Sequence, residues 1–162
     1  VRVAANLSAR SLSARSLPDH VQELLQRHGV QGQRLLIELT ETSTLGDPAA
    51  AGEMIARLRA LGCSVHLDDF GAGFASFAHL KLLPVDGIKI DGSYVRGLAQ
   101  QHENRALVSA MVTLARALGM TTVAEHVEDE STLLALRAIG VDLVQGFLFD
   151  RPRSGDLAAM AA

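Results

Sequence analysis

Short apolar segments alternate with longer amphipathic segments along the whole chain. Six of the short segments predict β-strands, because their residues are apolar at successive positions. They cover residues 1–7, 34–41, 64–69, 85–91, 121–125 and 141–149. Between them, apolar residues recur at helical spacing, as at Val21, Leu24 and Leu25. Strands that are apolar throughout are typical of a parallel sheet covered on both faces.

Four predicted helices end at a glycine, which suits the left-handed backbone that closes a helix. These glycines are Gly29, Gly62, Gly119 and Gly140, and a predicted strand begins within a few residues of each. A further short helix is predicted at residues 77–83. One strand and one helix in every segment of about 25 to 30 residues predict parallel strands joined by right-handed crossovers.

Each predicted strand carries polar residues near its C-terminal end. These residues are Asn6, Glu38, Asp68, Asp69, Lys89, Asp91, Glu125 and Gln145. Active sites of eight-fold βα barrels form at that end of the strands, whereas a doubly wound sheet concentrates its chemistry at one switch point. The ring of polar positions therefore favours an α/β fold of the (β/α)₈ TIM-like barrel type. With about six βα units present, we expect residues 1–162 to form a single domain that lacks its first one or two units.

Two adjacent carboxylates, Asp68 and Asp69, stand at the end of the third strand, before a loop that contains Gly71 and Gly73. Side chains alternate along a strand, so both acids reach one site only where the strand ends and the backbone turns. Two acids held together repel each other unless a cation lies between them. A solvated acidic turn is the alternative interpretation.

Composition narrows the class of protein. The chain has 162 residues, 48% of them hydrophobic, which is enough for one domain with a substantial core. A net charge of −3 without a basic patch argues against a nucleic-acid polymer as partner. No apolar run approaches the roughly 20 residues of a membrane span, and no signal peptide opens the chain. We therefore expect a cytoplasmic protein, with any membrane tether lying before Val1.

The rim residues offer carboxylate and amide oxygens, which suit Mg²⁺ or Mn²⁺, and no Cys/His cluster at zinc spacing is present. Two such ions sharing an aspartate would clamp an in-line attack on a phosphodiester. Lys89 would neutralise phosphate charge or position the attacking water. Polar residues that merely anchor loops are the alternative.

Six motifs give a more specific signal, because they occur in one order along the chain. They are Asn6-Leu7-Ser8, Glu38-Leu39-Thr40-Glu41, Asp68-Asp69-Phe70-Gly71-Ala72-Gly73-Phe74, Lys89-Ile90-Asp91, Ala124-Glu125-His126-Val127-Glu128 and Gln145-Gly146-Phe147. This series resembles the EAL-domain family, the cyclic-di-GMP phosphodiesterases of bacterial signalling. The resemblance implies a (β/α)₈-like barrel that binds two Mg²⁺ or Mn²⁺ ions and hydrolyses cyclic di-GMP to linear pGpG.

The resemblance also implies a set of metal ligands. Asn6, Glu38 and Asp68 match the ligands of one ion. Asp68, Asp69 and Glu125 match the surroundings of the second ion, and Glu125 is also the candidate base that activates water.

Further residues match supporting positions of the family. Lys89 matches the lysine that holds the attacking water or the phosphate. Glu41 matches the acid that anchors the loop of Gly71 and Gly73, which in the family couples metal binding to dimerisation. Asp91 and Gln145 match polar positions at the rim.

Simpler structural roles are open for several of these residues. Glu41 could be a helix-start acid that faces water, and Asp91 could cap the next helix. Gln145 is more often a satisfied core amide than a ligand, and His66 is predicted to be packed. Lys89 is hardest to explain this way, because a lysine in an apolar strand needs a partner or a ligand.

Two features depart from the family pattern. The chain begins at Val1, after the position of the Glu-Ala-Leu signature, so we expect it to be part of a longer protein with an incomplete metal site. His126 stands where the family usually has glycine. Histidine there would cost roughly 1 kcal/mol if φ is positive, crowd Glu125, or offer a nitrogen ligand.

Three functions are compatible with these motifs. The first is a cyclic-di-GMP phosphodiesterase, of which the isolated chain would be weakly active or inactive. The second is a degenerate sensor that binds the dinucleotide without cleaving it, and the third is a truncated domain that serves as a dimerisation scaffold. The expected partners are cyclic di-GMP, a second copy in a homodimer, and an upstream sensory or GGDEF domain.

Overall fold

The computed structural model describes residues 1–8, 11, 14, 16–44, 47–72 and 80–151. Within these ranges, strands alternate with helices. The strands are β1 (Val3–Leu7), β2 (Leu35–Thr40), β3 (Ser64–Phe70), β4 (Gly87–Ile90), β5 (Thr121–Ala124) and β6 (Leu143–Val144). The helices are α1 (Leu17–Arg27), α2 (Pro48–Ala60), α3 (Gly92–Val95), α4 (His102–Ala117) and α5 (Glu130–Ile139). Single 3₁₀ turns cover Gly32–Arg34 and Glu41–Thr44.

Local sequence signals set the helix boundaries. Asp47 caps α2 by accepting a hydrogen bond from the Ala50 amide at 3.0 Å, and Asp129 caps α5 in the same way. The four glycines predicted to close helices all have positive φ, between +62° and +89°, which confirms that prediction. Among the described residues, no helix is both long and apolar enough to cross a membrane.

The six described strands form one parallel sheet in chain order, from β1 to β6. A doubly wound sheet would reverse its direction of growth at a switch point, and this sheet does not. The register places Asn6 beside Glu38, Glu38 beside His66, and His66 beside Gly87. The topology confirms the prediction of an incomplete (β/α)₈ barrel.

The two faces of the central strands differ more than the sequence suggested. Ile37, Leu39 and Leu67 are fully or almost fully buried and belong to the hydrophobic core. Glu38 and Asp68 alternate with them, so they lie on the other face of the sheet. The strands are therefore apolar on one face only, and the second face is polar towards their C-terminal ends.

The sixth strand was predicted at residues 141–149, but β6 covers only Leu143–Val144. The chain turns after β6, because the Leu148 amide bonds to the Val127 carbonyl and the Phe149 amide bonds to the Gly146 carbonyl. These bonds replace a continued strand ladder. Residues 77–79 of the short helix predicted at residues 77–83 lie outside the described residues, and in the remainder only Leu80 is helical.

Candidate active site at the rim of the barrel

Lys89 lies at the centre of a cluster of carboxylates at the C-terminal ends of the strands. Its Nζ is 3.2 Å from Glu38 Oε1, 2.9 Å from Asp68 Oδ1 and 2.7 Å from Glu125 Oε1. The side chains come from β2, β3, β4 and the end of β5, and Lys89 is only 4% exposed. Residues far apart in sequence therefore meet at the rim, as the pattern of strand-end polar residues predicted.

The two adjacent aspartates do converge on this cluster. Asp68, Asp69 and Glu125 each offer an oxygen, and the three oxygens lie within 4.8 Å of one another. The register of β3 is irregular between Leu67 and Phe70, and Asp69 has a positive φ of 54°. This left-handed backbone lets both acids reach one site, but it is an irregularity within β3, which continues to Phe70, and not the expected end of the strand.

The cluster holds more negative than positive charge. Lys89 can balance one of the carboxylates of Glu38, Asp68, Asp69 and Glu125, which leaves three negative charges uncompensated within the cluster. Asp68 Oδ1 is buried and has no hydrogen-bond partner within the described ranges, although it lies 2.9 Å from the Lys89 ammonium. The ion pair is thus close but poorly angled, and the oxygen keeps a free lone pair. Such an arrangement fits a cation.

The pKa shifts at the site have clear causes. Burial by itself lowers the pKa of Lys89, but the close contacts with the Glu125 and Asp68 carboxylates and their negative charges outweigh it and raise that pKa above its usual value. Burial raises the pKa of Glu125, and the Lys89 charge opposes this only in part. Burial also raises the pKa of Asp69, helped by the charges of Asp68 and Asp91. Lys89 is therefore a cation at neutral pH.

Glu41 lies beside the cluster and holds the backbone that follows β3. Its carboxylate Oε2 accepts a hydrogen bond from the Gly71 amide at 2.9 Å, and the side chain is 2% exposed. Glu41 begins a 3₁₀ turn, but it does not face water, so the simpler alternative is wrong. Gly71 has a φ of +99°, and Gly73 lies outside the described residues.

The other predicted rim residues have different surroundings. Asn6 is exposed on β1 and is the register neighbour of Glu38. Gln145 is also exposed and donates a hydrogen bond from Nε2 to Glu125 Oε1 at 2.7 Å, so it is not a core amide. Asp91 caps α3 by accepting from the Ser93 amide at 2.9 Å, which confirms the capping alternative.

Two histidines adjoin the site. His126 has a φ of +54°, so the position does require a left-handed backbone. Its ring lies against Gly92, and its Nδ1 is 3.1 Å from Arg96 Nη2. His66 is 8% exposed, as predicted for a packed residue, but its Nδ1 has no hydrogen-bond partner among the described residues.

A cavity of about 380 Å³ opens next to Glu125 and His126. Phe147 and Arg151 form part of its wall, with the Arg151 guanidinium carbon 4.9 Å from the centre of the Phe147 ring. The carboxylate cluster thus borders a space with an aromatic and a cationic wall. Arg151 was not predicted as a site residue, because the only feature of the sequence that points to it is its position just after the predicted sixth strand, residues 141–149.

Comparison with known proteins agrees with this geometry. The model of the EAL domain family matches residues 1–152. The chain belongs to the EAL domain family. Structures of this family with more than 25% sequence identity superpose on the chain with TM-scores of 0.83 to 0.90, which supports the incomplete TIM-like barrel.

Several relatives have named activities. The chain is 38% identical over 151 residues to the cyclic di-GMP phosphodiesterase PdeB of Shewanella oneidensis, covering 93% of this chain and 18% of PdeB. It is 37% identical over 161 residues to MucR of Pseudomonas aeruginosa, a bifunctional diguanylate cyclase/cyclic di-GMP phosphodiesterase, covering 98% of this chain and 24% of MucR. The chain spans about a fifth of the length of these curated relatives.

Two solved structures are also similar. One is the phosphodiesterase of MucR in complex with cyclic di-GMP, which has a TM-score of 0.87 at 38% identity and covers 93% of this chain and 61% of that one. The other is BlrP1 of Klebsiella pneumoniae with manganese and cyclic di-GMP, which has a TM-score of 0.86 at 33% identity and covers 93% of this chain and 39% of that one.

Proposed function

We propose that this chain provides the catalytic rim of a phosphodiesterase that hydrolyses cyclic di-GMP to linear pGpG. The observation that carries the proposal is the Lys89 cluster, in which one ammonium contacts three carboxylates within 3.2 Å. The names of the relatives support the choice of substrate. The adjacent cavity supports it too, because an aromatic ring and a guanidinium suit a nucleobase and a phosphate.

The cluster fits a pair of divalent cations. Its donors are carboxylate and amide oxygens, it holds uncompensated negative charge, and Asp68 Oδ1 has a free lone pair. We assign Asn6, Glu38 and Asp68 to one Mg²⁺ or Mn²⁺ ion, and Asp68, Asp69 and Glu125 to a second. When bound, such ions lower the pKa of a coordinated water and neutralise phosphate charge.

The remaining roles follow from the contacts of each side chain. Glu125 is the proposed base, because its raised pKa makes the carboxylate a better proton acceptor. Gln145 orients that carboxylate through its hydrogen bond. Lys89 stays charged and holds the phosphate or the attacking water. Glu41 keeps Gly71 in place, and Asp91 supports the rim by capping α3.

Hydrolysis assays on the complete protein test the proposal. With Mn²⁺ present, we expect conversion of cyclic di-GMP to pGpG, measured by chromatography. Asp68→Asn and Lys89→Ala should each lower kcat at least about 100-fold, because the first removes a carboxylate assigned to both ions and the second removes the cation assigned to the phosphate or the attacking water. Lys81→Ala is the matched control, since Lys81 is the other lysine of the chain and is exposed.

Two outcomes would contradict the phosphodiesterase. Full activity of Asp68→Asn or Lys89→Ala would remove these residues from the reaction. Binding of cyclic di-GMP without turnover would instead favour a sensor. One observation favours that alternative: His126, directly after Glu125, has a strained left-handed backbone conformation.

We further propose that the protein works as a homodimer under the control of another domain. Leu107 on α4 and Leu134 on α5 are 47% and 61% exposed on helices that contact each other, which would suit a dimer interface. The bifunctional relative MucR supports a GGDEF or sensory partner domain. Light scattering on the complete protein would measure the oligomeric state.

A further inference from the structure

We infer that Tyr94 is a positioning residue of this site, and that its hydroxyl fixes the backbone that follows the two aspartates. The inference rests on the proposed function. Sequence reasoning gave Tyr94 no role, and its position on α3 placed it five residues after Lys89 and far from β3 in sequence.

The backbone of Gly71 is held from two sides. Its amide donates to Glu41 Oε2 at 2.9 Å, and its carbonyl accepts from the Tyr94 hydroxyl at 2.8 Å. One residue earlier, the Phe70 carbonyl accepts from the Asp91 amide at 3.3 Å. Phe70 and Gly71, which follow the acidic pair, are therefore bonded both to the 3₁₀ turn after β2 and to the segment that follows β4.

The position of Tyr94 is itself tied to the strand that carries Lys89. The Tyr94 amide bonds to the Asp91 carbonyl at 3.1 Å, and Asp91 follows β4 directly. On its other side, α3 contacts the ring of His126 through Gly92. The short helix α3 thus lies between the aspartates of β3 and the residues that follow β5.

The hydroxyl matters because the backbone it holds is strained. Asp69 has a positive φ of 54°, which costs energy for a residue with a side chain and persists only where the surroundings hold it. Gly71 fits closely, since a Cβ there would lie 2.6 Å from Met111 Cε and 2.9 Å from the Tyr94 ring. In Tyr94→Phe the packing of the aromatic ring would be retained, whereas the hydrogen bond to the Gly71 carbonyl would be lost.

Loss of that bond should move the aspartates by a small distance without unfolding the protein. Reacting groups are sensitive to displacements of about 1 Å, so the effect should appear in the chemical step. For Tyr94→Phe in the complete protein, we expect kcat to fall about tenfold and the Mn²⁺ dissociation constant to rise about fivefold. KM for cyclic di-GMP should change less than about twofold, because Tyr94 does not line the cavity beside Glu125.

Thr113→Val provides the matched control. Thr113 also donates its hydroxyl to a backbone carbonyl at 2.8 Å, but it lies on the exposed side of α4. We expect this variant to keep wild-type kcat and Mn²⁺ affinity. Thermal unfolding of both variants shows whether an activity loss merely follows a loss of stability.

Hydrogen exchange of residues 68–72 gives a readout that does not depend on turnover. Faster exchange in Tyr94→Phe, together with weaker Mn²⁺ binding, would support the positioning role. Unchanged exchange and unchanged Mn²⁺ affinity, or a loss of kcat that Thr113→Val reproduces, would overturn it. If the wild-type protein lacks hydrolysis, the proposed function fails, and the exchange experiment alone still decides the role of Tyr94.

Discussion

The burial and the contacts of a rim residue cannot be deduced from its amino-acid type alone. Lys89 is a buried cation whose charge is maintained by three acids, so its removal would leave the buried carboxylates of Glu38, Asp68 and Glu125 without their neutralising charge. A loss of stability is therefore expected in Lys89→Ala before any metal is added. Activity of that variant has to be compared at saturating Mn²⁺, where the ions replace the missing charge.

Glu41 gives a prediction at the residue scale. Glu41→Ala removes a 2% exposed side chain and leaves the Gly71 amide without its acceptor, so we expect a loss of about 2 to 4 kcal/mol in the free energy of unfolding. Glu41→Gln keeps an acceptor oxygen and should lose about 1 kcal/mol or less. Urea unfolding measures both variants.

The exposed Glu53 on α2 serves as the control for this comparison. Glu53→Ala should leave the free energy of unfolding within about 0.5 kcal/mol of the wild type. If Glu41→Ala behaves like Glu53→Ala, the Gly71 bond does not stabilise the loop.

Gly146 gives a prediction at the element scale, because it lies in the turn that follows β6. A Cβ at Gly146 would lie 2.2 Å from the Val127 carbonyl oxygen and 2.3 Å from the Val127 nitrogen. Gly146→Ala should therefore shift backbone and lower the free energy of unfolding by about 2 to 3 kcal/mol. Gly119→Ala is the control, since a Cβ there meets nothing within 4 Å and only its φ of +71° is unfavourable.

Unfolding midpoints in urea separate the two effects. Gly119→Ala should cost only about 1 kcal/mol, which is the usual cost of placing alanine in that backbone region. Equal losses in the two variants would show that the close approach of Gly146 to Val127 adds no cost beyond that of the backbone conformation.

The elements could be predicted to different degrees from the sequence. Helix ends were predictable, because capping aspartates and closing glycines act within a few residues. The length of β6 was not, because it depends on hydrogen bonds to Val127, about 20 residues earlier. The hydrogen bond from Tyr94 on α3 to the Gly71 carbonyl could not be predicted either, since nothing near Tyr94 in the sequence indicates a contact with the residues that follow β3.

The site itself was largely predictable from the ends of the strands. Parallel strands in chain order bring their C-terminal ends together, so the polar residues there had to meet. The distances could not be predicted, and neither could the left-handed backbone of Asp69, whereas the glycine usual in the family had indicated a positive φ as one possibility at His126. Both follow from tertiary contacts that override local preference.

At the scale of the whole molecule, the excess negative charge predicts that divalent cations stabilise the fold. Ligand binding to the folded state alone adds about 2.7 kcal/mol at 100 times the dissociation constant. We expect saturating Mn²⁺ to raise the thermal midpoint of the wild type and to raise that of Asp68→Asn much less. Equal shifts in the two proteins would place the cation elsewhere.

The same charges set the pH dependence of the metal-free protein. The pKa values of Glu125 and Asp69 are raised in the folded state. At pH values between the unfolded-state pKa and the folded-state pKa of each group, the folded protein therefore binds more protons than the unfolded chain. Stability contributed by these groups should fall as pH rises through their folded pKa values. Bound Mn²⁺ should reverse that dependence, because coordination requires both carboxylates to be ionised, and unfolding measured with and without the ion checks this.

The strand order also bears on how the molecule assembles. Every strand pairs with the next one along the chain, so the sheet can grow by joining near neighbours, with modest entropic cost at each step. Asn6 and Gln145 belong to opposite ends of that growing array. Between these ends, Glu38 and Asp68 come together as soon as β2 joins β3, and β4 adds the Lys89 ammonium to this pair before β5 brings in Glu125.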